Sequence, residues 1–291
     1  MIDKEKLKKF VKEALAEDIG KIDLTTTYLI PSRAMVKADI IAKSGGVVCG
    51  LPLIESVYAF LDSDIKIKFN VKEGAVVEPG KAVSYLEGQA TSILKGERLV
   101  LNLLGRASSI ATFTKAYVDK VRPYNVQIFD TRKTTPNMRF IEKYAVRTGG
   151  GKNHRMGLYD QVLVKDNHLA VLKELGGTKD SMMQDMIRSL RKRVQKNIKI
   201  EVEVNSIAEF EDALSAGPDI IMLDNMSPDE IAEAVKIRDA STSRTRRVII
   251  EASGNIRLDN IEEYAKTKVD RISVGAITHS PPALDFSLDI I

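Results

Sequence analysis

The chain has one cysteine among its 291 residues, Cys49. No internal disulfide can form, which excludes the small disulfide-stapled folds. A small buried core residue is the expected role for that thiol. Tryptophan is absent and aromatics make up only 5% of the chain. That scarcity argues against a nucleic-acid surface, where bases stack on rings interleaved with basic side chains. No apolar run approaches the roughly 18 residues of a membrane span. The first residues, MIDKEKLKKFVKEALAED, are charged throughout and lack the apolar core of a secretory signal. Together these absences predict a cytoplasmic protein with neither membrane nor nucleic acid as partner. No low-complexity tract or long linker interrupts the chain, and its length suits one large or two medium domains.

Positive charge, in contrast, is concentrated. Between Asp130 and His168 stand eight bases, Arg132, Lys133, Arg139, Lys143, Arg147, Lys152, Arg155 and Lys165, against four acids, Asp130, Glu142, Asp160 and Asp166. The window therefore carries +4, the same as the whole chain, so everything outside it sums to zero. It also holds His154 and His168, two of the three histidines. Such charge among glycines suits a pocket for a small, highly anionic ligand.

The apolar pattern divides the chain in two. Residues 3–18 read as an amphipathic helix, with Leu7, Phe10, Val11, Ala14 and Leu15 at helical spacing and Gly20 as its stop. Val36–Ile41, Ile65–Val71 and Val83–Leu86 read as strands, and 91–121 as a long helix. The turn-rich segment Val71–Val83 resembles half of a biotinyl or lipoyl carrier but lacks the lysine-bearing hairpin tip, so it reads as a structural β module. Thereafter short apolar runs alternate with helical segments. The runs are Val126–Phe129, Val162–Val164, Ile198–Val204, Ile220–Leu223, Val248–Ile250 and Ile272–Val274. Helices are expected at 137–148, 181–196, 206–215, 228–239 and 257–266. That alternation implies a parallel sheet curved towards a barrel of about six strands, fewer than the eight of a full (β/α)₈ barrel. The expected fold is α/β, with an α/β module over 1–110, an open barrel over 111–279, and a tail from about 280 to 291 packing back on the first domain.

Every run ends in polar residues or glycine: Asp130-Thr-Arg132-Lys133, Lys165-Asp-Asn-His168, Glu201 and Glu203, Asp224-Asn225, Ser253-Gly254-Asn255, and Gly275. Barrel enzymes place their chemistry on that carboxyl face. Gly254 and Gly275, after the last two runs, fit a backbone phosphate cradle, although each alone could be a turn residue. Glu203 and Asp224 lie at adjacent run ends. They could hold a hard cation such as Mg²⁺, bind ribose hydroxyls, stabilise a developing cation, or simply pair with a pocket lysine. Glu201, two residues before Glu203, faces the same side of its strand and needs a cationic partner if that side is the interior. Gly149-Gly150-Gly151 allows a tight loop presenting His154 and Arg155, with a ligand role and a structural one equally open for His154.

The block DTRKTTP…EKYAV…GGG.NHR.GL.D.VL.KDNH resembles the quinolinate phosphoribosyltransferase family, also called nicotinate-nucleotide pyrophosphorylase (carboxylating). The resemblance extends over nearly the whole chain, through Asp23-Leu-Thr-Thr, Gly96-Glu97-Arg98 with Leu101-Asn102, Glu201-Val-Glu203-Val, Leu223-Asp224-Asn225, Glu251-Ala-Ser253-Gly254 and Ser273-Val-Gly275-Ala. It implies an N-terminal α/β sandwich, a C-terminal open α/β barrel, and homodimers whose sites are completed across the interface, a hexamer being left open. By motif it assigns Arg98, Arg132, His154, Arg155 and Lys165 to quinolinate. It assigns Lys133, Glu203, Asp224, Ser253, Gly254, Asn255 and Gly275 to phosphoribosyl pyrophosphate. Lys133, Lys165, Glu203 and Asp224 are the implied catalytic groups, and Glu203 and Asp224 the Mg²⁺ carboxylates, acting partly through substrate and water. Asn137 and Asn255 stand where relatives have glycine, and asparagine tolerates the left-handed backbone such positions need.

The implied reaction gives nicotinate mononucleotide, pyrophosphate and CO₂, on the route to NAD. Two other readings compete. One is a related phosphoribosyltransferase of the molybdenum-locus type acting on another anionic ring. The other is a non-catalytic protein that binds an anionic phosphometabolite. The paired carboxylates argue against a pure anion binder, and the cations Arg132, His154, Arg155 and Lys165 are excessive for a monocarboxylate.

Overall fold

The structure is a computed structural model that describes residues 2–175, 182–241 and 247–291. Its helices are α1 (Lys4–Ile19), α2 (Leu24–Leu29), α3 (Leu51–Leu61), α4 (Ala90–Val121), α5 (Arg139–Thr148), α6 (Asp166–Glu174), α7 (Met182–Arg193), α8 (Ile207–Ala216), α9 (Pro228–Ala240), α10 (Ile261–Lys266) and α11 (Ala276–His279). Its strands are β1 (Met35–Ala42), β2 (Gly46–Val47), β3 (Lys66–Phe69), β4 (Val76–Val77), β5 (Ala82–Gln89), β6 (Gln127–Phe129), β7 (Val162–Val164), β8 (Ile200–Val204), β9 (Ile220–Asp224), β10 (Ile249–Ser253), β11 (Arg271–Ser273) and β12 (Phe286–Ile290). The helix expected at 181–196 is α7; residue 181 lies outside the described residues. Among the described residues, no helix is long and apolar enough to cross a membrane.

Two compact units emerge. The first comprises residues 1–115, 134–150 and 277–291, and the second 116–133 and 151–276. The sequence boundaries were 110/111 and 279/280, so 134–150 falls in a different unit from the one expected. Side-chain chemistry explains the placement. Glu142, on α5, has no exposed surface and pairs with Arg106 of α4 at 2.7 Å. It also accepts hydrogen bonds from the Thr135 backbone at 3.1 Å and hydroxyl at 2.8 Å. Tyr144 donates to Glu73 at 2.9 Å. The glycine run serves the same packing: a Cβ on Gly149 would stand 2.3 Å from the Ala111 carbonyl oxygen of α4. Removing one partner of a buried ion pair strands the other charge, so Glu142→Ala should cost about 3–5 kcal/mol of stability. Urea titration checks it, and a loss under about 1 kcal/mol would mean that solvent reaches Arg106.

In this first unit, Asp3 caps α1 by accepting the Lys6 N–H at 3.1 Å. Leu7, Val11 and Leu15 form the buried stripe of α1. The antiparallel sheet has the order β12-β1-β5-β3. The C-terminal tail forms β12, pairing with β1 from Ala38↔Ile290 to Ala42↔Phe286.

The second unit holds six parallel strands in the order β6-β11-β10-β9-β8-β7. No ladder joins β6 to β7, so the barrel is open there. Lys152 lies along the free edge of β6, donating to the Ile128 carbonyl at 2.7 Å and accepting from the Asp130 N–H at 3.1 Å. Ile200, Val202, Ile221, Leu223, Ile250, Ala252 and Ile272 are fully buried. The amino ends of the strands are tied by a repeated device. Asp219, just before β9, accepts the Ile200 N–H at 2.7 Å and pairs with Arg191 at 2.6 Å. Asp270, just before β11, accepts the Ile250 N–H at 2.7 Å and pairs with Arg238. The opposite, carboxyl face is left for chemistry.

Candidate active site

The second unit gathers the expected cations and carboxylates at the carboxyl ends of its strands. Asp130 follows β6, is fully buried, and accepts the His154 backbone N–H at 2.8 Å. That bond fixes the loop carrying Arg155 beside the strand that leads to Arg132 and Lys133. Arg155 is 8% exposed. Burial lowers its pKa first and the charge of Arg132 next, while Glu201 and Glu203 oppose the shift. The guanidinium of Arg155 thus feels one neighbouring cation and two neighbouring carboxylates. The guanidinium of Arg155 donates to the Gln161 carbonyl at 3.1 Å. Lys165, after β7, forms an ion pair with Glu203 of β8. Arg132 and Lys133 are exposed.

His154 is turned into the protein. Its Nδ1 accepts the Arg155 N–H at 2.7 Å, so the neutral ring carries its proton on Nε2. Nε2 lies 3.1 Å from Glu201 and 3.5 Å from Glu251. Both ring nitrogens therefore face protein groups rather than an open pocket.

Across the sheet, Glu203 is level with Met222, and Asp224 is two residues further along β9, so the two carboxylates share one face. Asp224 accepts from the Asn225 amide at 2.7 Å, and Asn225 in turn accepts from the Asn255 amide at 2.9 Å. Asn225 and Asn255 both have left-handed backbone, with φ of 57° and 52°. Gly254 has φ 92°, and a Cβ there would lie 2.3 Å from Asn225 Oδ1. Only glycine fits between these loops. Ser253 ends β10 level with Asp224, and Gly275 follows β11 after Val274.

The sequence matches two family profiles along almost its whole length. Residues 23–108 match the profile described as quinolinate phosphoribosyl transferase, N-terminal domain, and residues 110–289 the C-terminal domain of the same name. The chain belongs to the quinolinate phosphoribosyl transferase family. It is 43% identical to the probable nicotinate-nucleotide pyrophosphorylase (carboxylating) of Methanocaldococcus jannaschii, over 97% of this chain and 96% of that one. It is 37% identical to the protein so named in Bacillus subtilis, over 98% and 93%. The solved nicotinate-nucleotide pyrophosphorylase of Francisella tularensis matches its fold with a TM-score of 0.90 at 36% identity, covering 100% of this chain and 98% of that one. The expected fold, an α/β sandwich followed by an open barrel, stands on that match and on the two sheets.

Arg98 belongs to the first unit. It is exposed on α4 and lines a groove with Asn102, Arg106, Leu284 and Phe286. For Mg²⁺, the donor set offers hard oxygens, which suit that ion. Glu203, however, already neutralises Lys165. Were Mg²⁺ to bind, Asp224 and Glu203 would serve as supplementary donors to an ion carried chiefly by ligand oxygens.

Sequence reasoning missed most of what lies beneath. Glu201 and Glu251 have no exposed surface, and the guanidinium of Arg271 pairs with both. Gln161 donates to Glu201, and Ser273 to Glu251. Arg271 is the cationic partner that the inward position of Glu201 demanded. A charged residue opening the short apolar run of β11 was the available signal. Burial, then the charge of Glu201, raises Glu251 to about 7, against the pull of Arg271, His154 and Ser273. A raised carboxyl holds its proton in the folded state where the unfolded chain has lost it. Its contribution is therefore complete below the ordinary carboxylate range and is lost as pH climbs through 7. Thermal unfolding followed from pH 5 to 8 should show stability falling, with a flatter profile in Glu251→Gln. Parallel profiles would show that Glu251 stays ionised throughout.

Proposed function

We propose that this chain transfers the phosphoribosyl group of phosphoribosyl pyrophosphate to quinolinate, with decarboxylation, giving nicotinate mononucleotide. The observation that carries this reading is the convergence of Arg132, Arg155 and Lys165 with Glu203 at one end of a parallel sheet, in a chain of this family. Quinolinate has two adjacent carboxylates, and guanidinium groups bind carboxylates in bidentate fashion. Arg132, Arg155 and Lys165 hold the dianion and aim the ring nitrogen. The nitrogen lone pair forms the bond to ribose C1 as the bond from C1 to the pyrophosphate oxygen breaks, and that electron pair leaves with pyrophosphate. Glu203 and Asp224 provide negative charge beside C1 while it is cation-like. Lys133 neutralises the departing pyrophosphate. Bound Mg²⁺ would supply further neutralisation of the phosphate oxygens. Ser253, Gly254, Asn255 and Gly275 receive the 5′-phosphate. The ring nitrogen is then cationic, so the bond from C2 to its carboxylate breaks with the electron pair left on C2. CO₂ departs and a proton from the site or solvent fills C2.

Incubation with quinolinate, phosphoribosyl pyrophosphate and Mg²⁺ should produce nicotinate mononucleotide and equimolar CO₂. Product from another pyridine or pyrimidine carboxylate but none from quinolinate would favour the related transferase. Binding without turnover of any ring would favour the phosphometabolite binder.

Arg98 we assign to the site of a second copy of the chain. A small dianion needs enclosure as well as charge, and a partner that covers an open barrel mouth strengthens the ion pairs by excluding water. Arg98→Ala and Lys133→Ala should each be nearly inactive. Mixed and re-associated, about half the dimers are hybrids with one intact site, so roughly a quarter of wild-type activity should return. No recovery after proven subunit exchange would remove Arg98 from the partner's site.

A further inference from the structure

Glu201 has no exposed surface, and none of the assigned roles uses it. Its position on β8 puts it one pleat below Glu203, on the same face. One carboxylate oxygen takes the Gln161 amide and lies 3.1 Å from His154 Nε2. The other lies 3.2 Å from Arg271. Both of the first two contacts lead to the same residue. His154 Nδ1 accepts the backbone N–H of Arg155 at 2.7 Å. The backbone carbonyl of Gln161, whose side-chain amide meets Glu201, accepts from the Arg155 guanidinium at 3.1 Å. Arg155 is thereby gripped at its backbone and at its tip, and both grips end on one carboxylate. Glu251 has no such pair of links. It meets Arg271 and Ser273 and only approaches His154, at 3.5 Å.

We propose that Glu201 is a positioning residue that fixes the tautomer of His154 and the reach of Arg155, and that His154 serves the anion site through Arg155 rather than by touching the anion. The physical basis is the directionality of the ring. A neutral imidazole has one donor and one acceptor. A carboxylate at the Nε2 edge keeps the proton there, and Nδ1 then stays free to accept from Arg155. With an amide at position 201, a donor group must face Gln161, His154 or Arg271, each of which already presents a donor. The ring then loses its reason to keep one tautomer, and the backbone of Arg155 loses a fixed acceptor. Arg271 is only a counter-ion in this scheme, since it touches neither grip on Arg155.

The inference rests on the reading that Arg155 binds quinolinate, and the test separates the two. Glu201→Gln is compared with wild type in the full-length protein, as is a second variant, Gln161→Met, which leaves the Arg271 pair intact and removes only the side-chain tie that anchors the backbone carbonyl of residue 161 to Glu201. Misplacing a binding group by an ångström from outside the site can cost about a hundredfold. We expect the KM for quinolinate to rise about tenfold or more in both variants, with the KM for phosphoribosyl pyrophosphate within about twofold of wild type. A merely structural role would move both constants together or neither, and that outcome overturns the proposal. Histidine ¹⁵N spectra give a readout free of substrate. Wild-type His154 should show a pyrrole-type Nε2 and a pyridine-type Nδ1, and Glu201→Gln should mix the two forms. The reverse tautomer in wild type overturns the proposal even if quinolinate turns over. If wild type shows the expected tautomer and the variant mixes it, but no quinolinate is bound, the positioning stands and the substrate reading falls.

Discussion

Arg155→Ala should weaken quinolinate binding by about 2–5 kcal/mol, from roughly thirtyfold to several thousandfold, while leaving the fold intact. The size comes from burial. Arg155 is 8% exposed, so a bound carboxylate would pair with it largely away from water, and truncation would leave that carboxylate unpaired and desolvated. The fold should survive because Arg155 is under electrostatic pressure. Its pKa is lowered by burial and by Arg132, so deleting it relieves repulsion as well as removing hydrogen bonds. Glu201 keeps Arg271 as counter-ion. The same pressure explains why a dianion is the right guest. Each carboxylate relieves repulsion between cations that the protein holds together, and a monocarboxylate relieves only part of it. Calorimetric titration of quinolinate into wild type and variant decides the matter. Unchanged affinity, with a circular dichroism spectrum also unchanged, would place the dicarboxylate elsewhere.

Much of this was legible because barrel sequences declare their strands as short apolar runs with polar ends. Val162–Val164 was read to the residue, and Ile220–Leu223 fell one short. The failures have specific causes. The apolar run Val248–Ile250 stops short of β10, which continues to Ser253 because Glu251 is accommodated by Arg271, in register with it on the neighbouring strand. No local pattern reveals a partner 20 positions away. α6 was not expected at all. It buries none of its residues, so it has no apolar stripe to read, and it begins where His168 accepts the Lys165 N–H at 3.0 Å. The helix at 257–266 starts late, at Ile261, because the Asn260 side chain accepts the Arg257 N–H at 2.8 Å and holds a turn first. The segment 134–150 looked like a barrel helix, and its contacts with Arg106, Glu73 and Ala111 show which unit it joins.

The candidate site was legible in one layer and hidden in the next. Residues assigned to a ligand sit at or just after the carboxyl ends of strands, where polar stretches advertise them. Residues that hold those groups in place sit within the strands, as single charges among β-branched neighbours. Glu201 was noticed because its spacing to Glu203 is the strand period. Arg271 offered only its place at the start of an apolar run, and Gln161 gave no signal at all. Asn255 is an intermediate case. It stood out as a departure from glycine, and the left-handed backbone it shares with Asn225 explains why asparagine is tolerated. Its amide contact with Asn225, which in turn bonds Asp224, could not be read from one sequence.

That amide chain shapes what Asp224→Asn should do. The substitution keeps size and shape, and an asparagine oxygen can still accept from the Asn225 amide that now bonds Asp224 at 2.7 Å. Backbone geometry at Gly254, which abuts Asn225, should therefore persist. The one loss is a negative charge at the end of β9, on the same face as Glu203. Glu203 cannot fully replace it, because its charge is shared with Lys165. If Asp224 faces ribose C1 and its Mg²⁺-bearing pyrophosphate, the loss falls on the transition state, where positive charge grows at C1. Removal of one preorganised electrostatic group typically lowers turnover by about 10²–10³-fold. Quinolinate affinity should stay within about twofold of wild type, since that dianion is assigned to Arg132, Arg155 and Lys165 and a less negative surround favours it slightly. Raising Mg²⁺ should recover little of the rate, because the missing charge is on the protein. Initial rates measured over a range of Mg²⁺ concentrations, beside quinolinate titrations, separate these effects. Full activity at every Mg²⁺ concentration would show that Asp224 faces neither C1 nor the metal. A weakened quinolinate affinity with unchanged turnover would move Asp224 to the dicarboxylate side of the site.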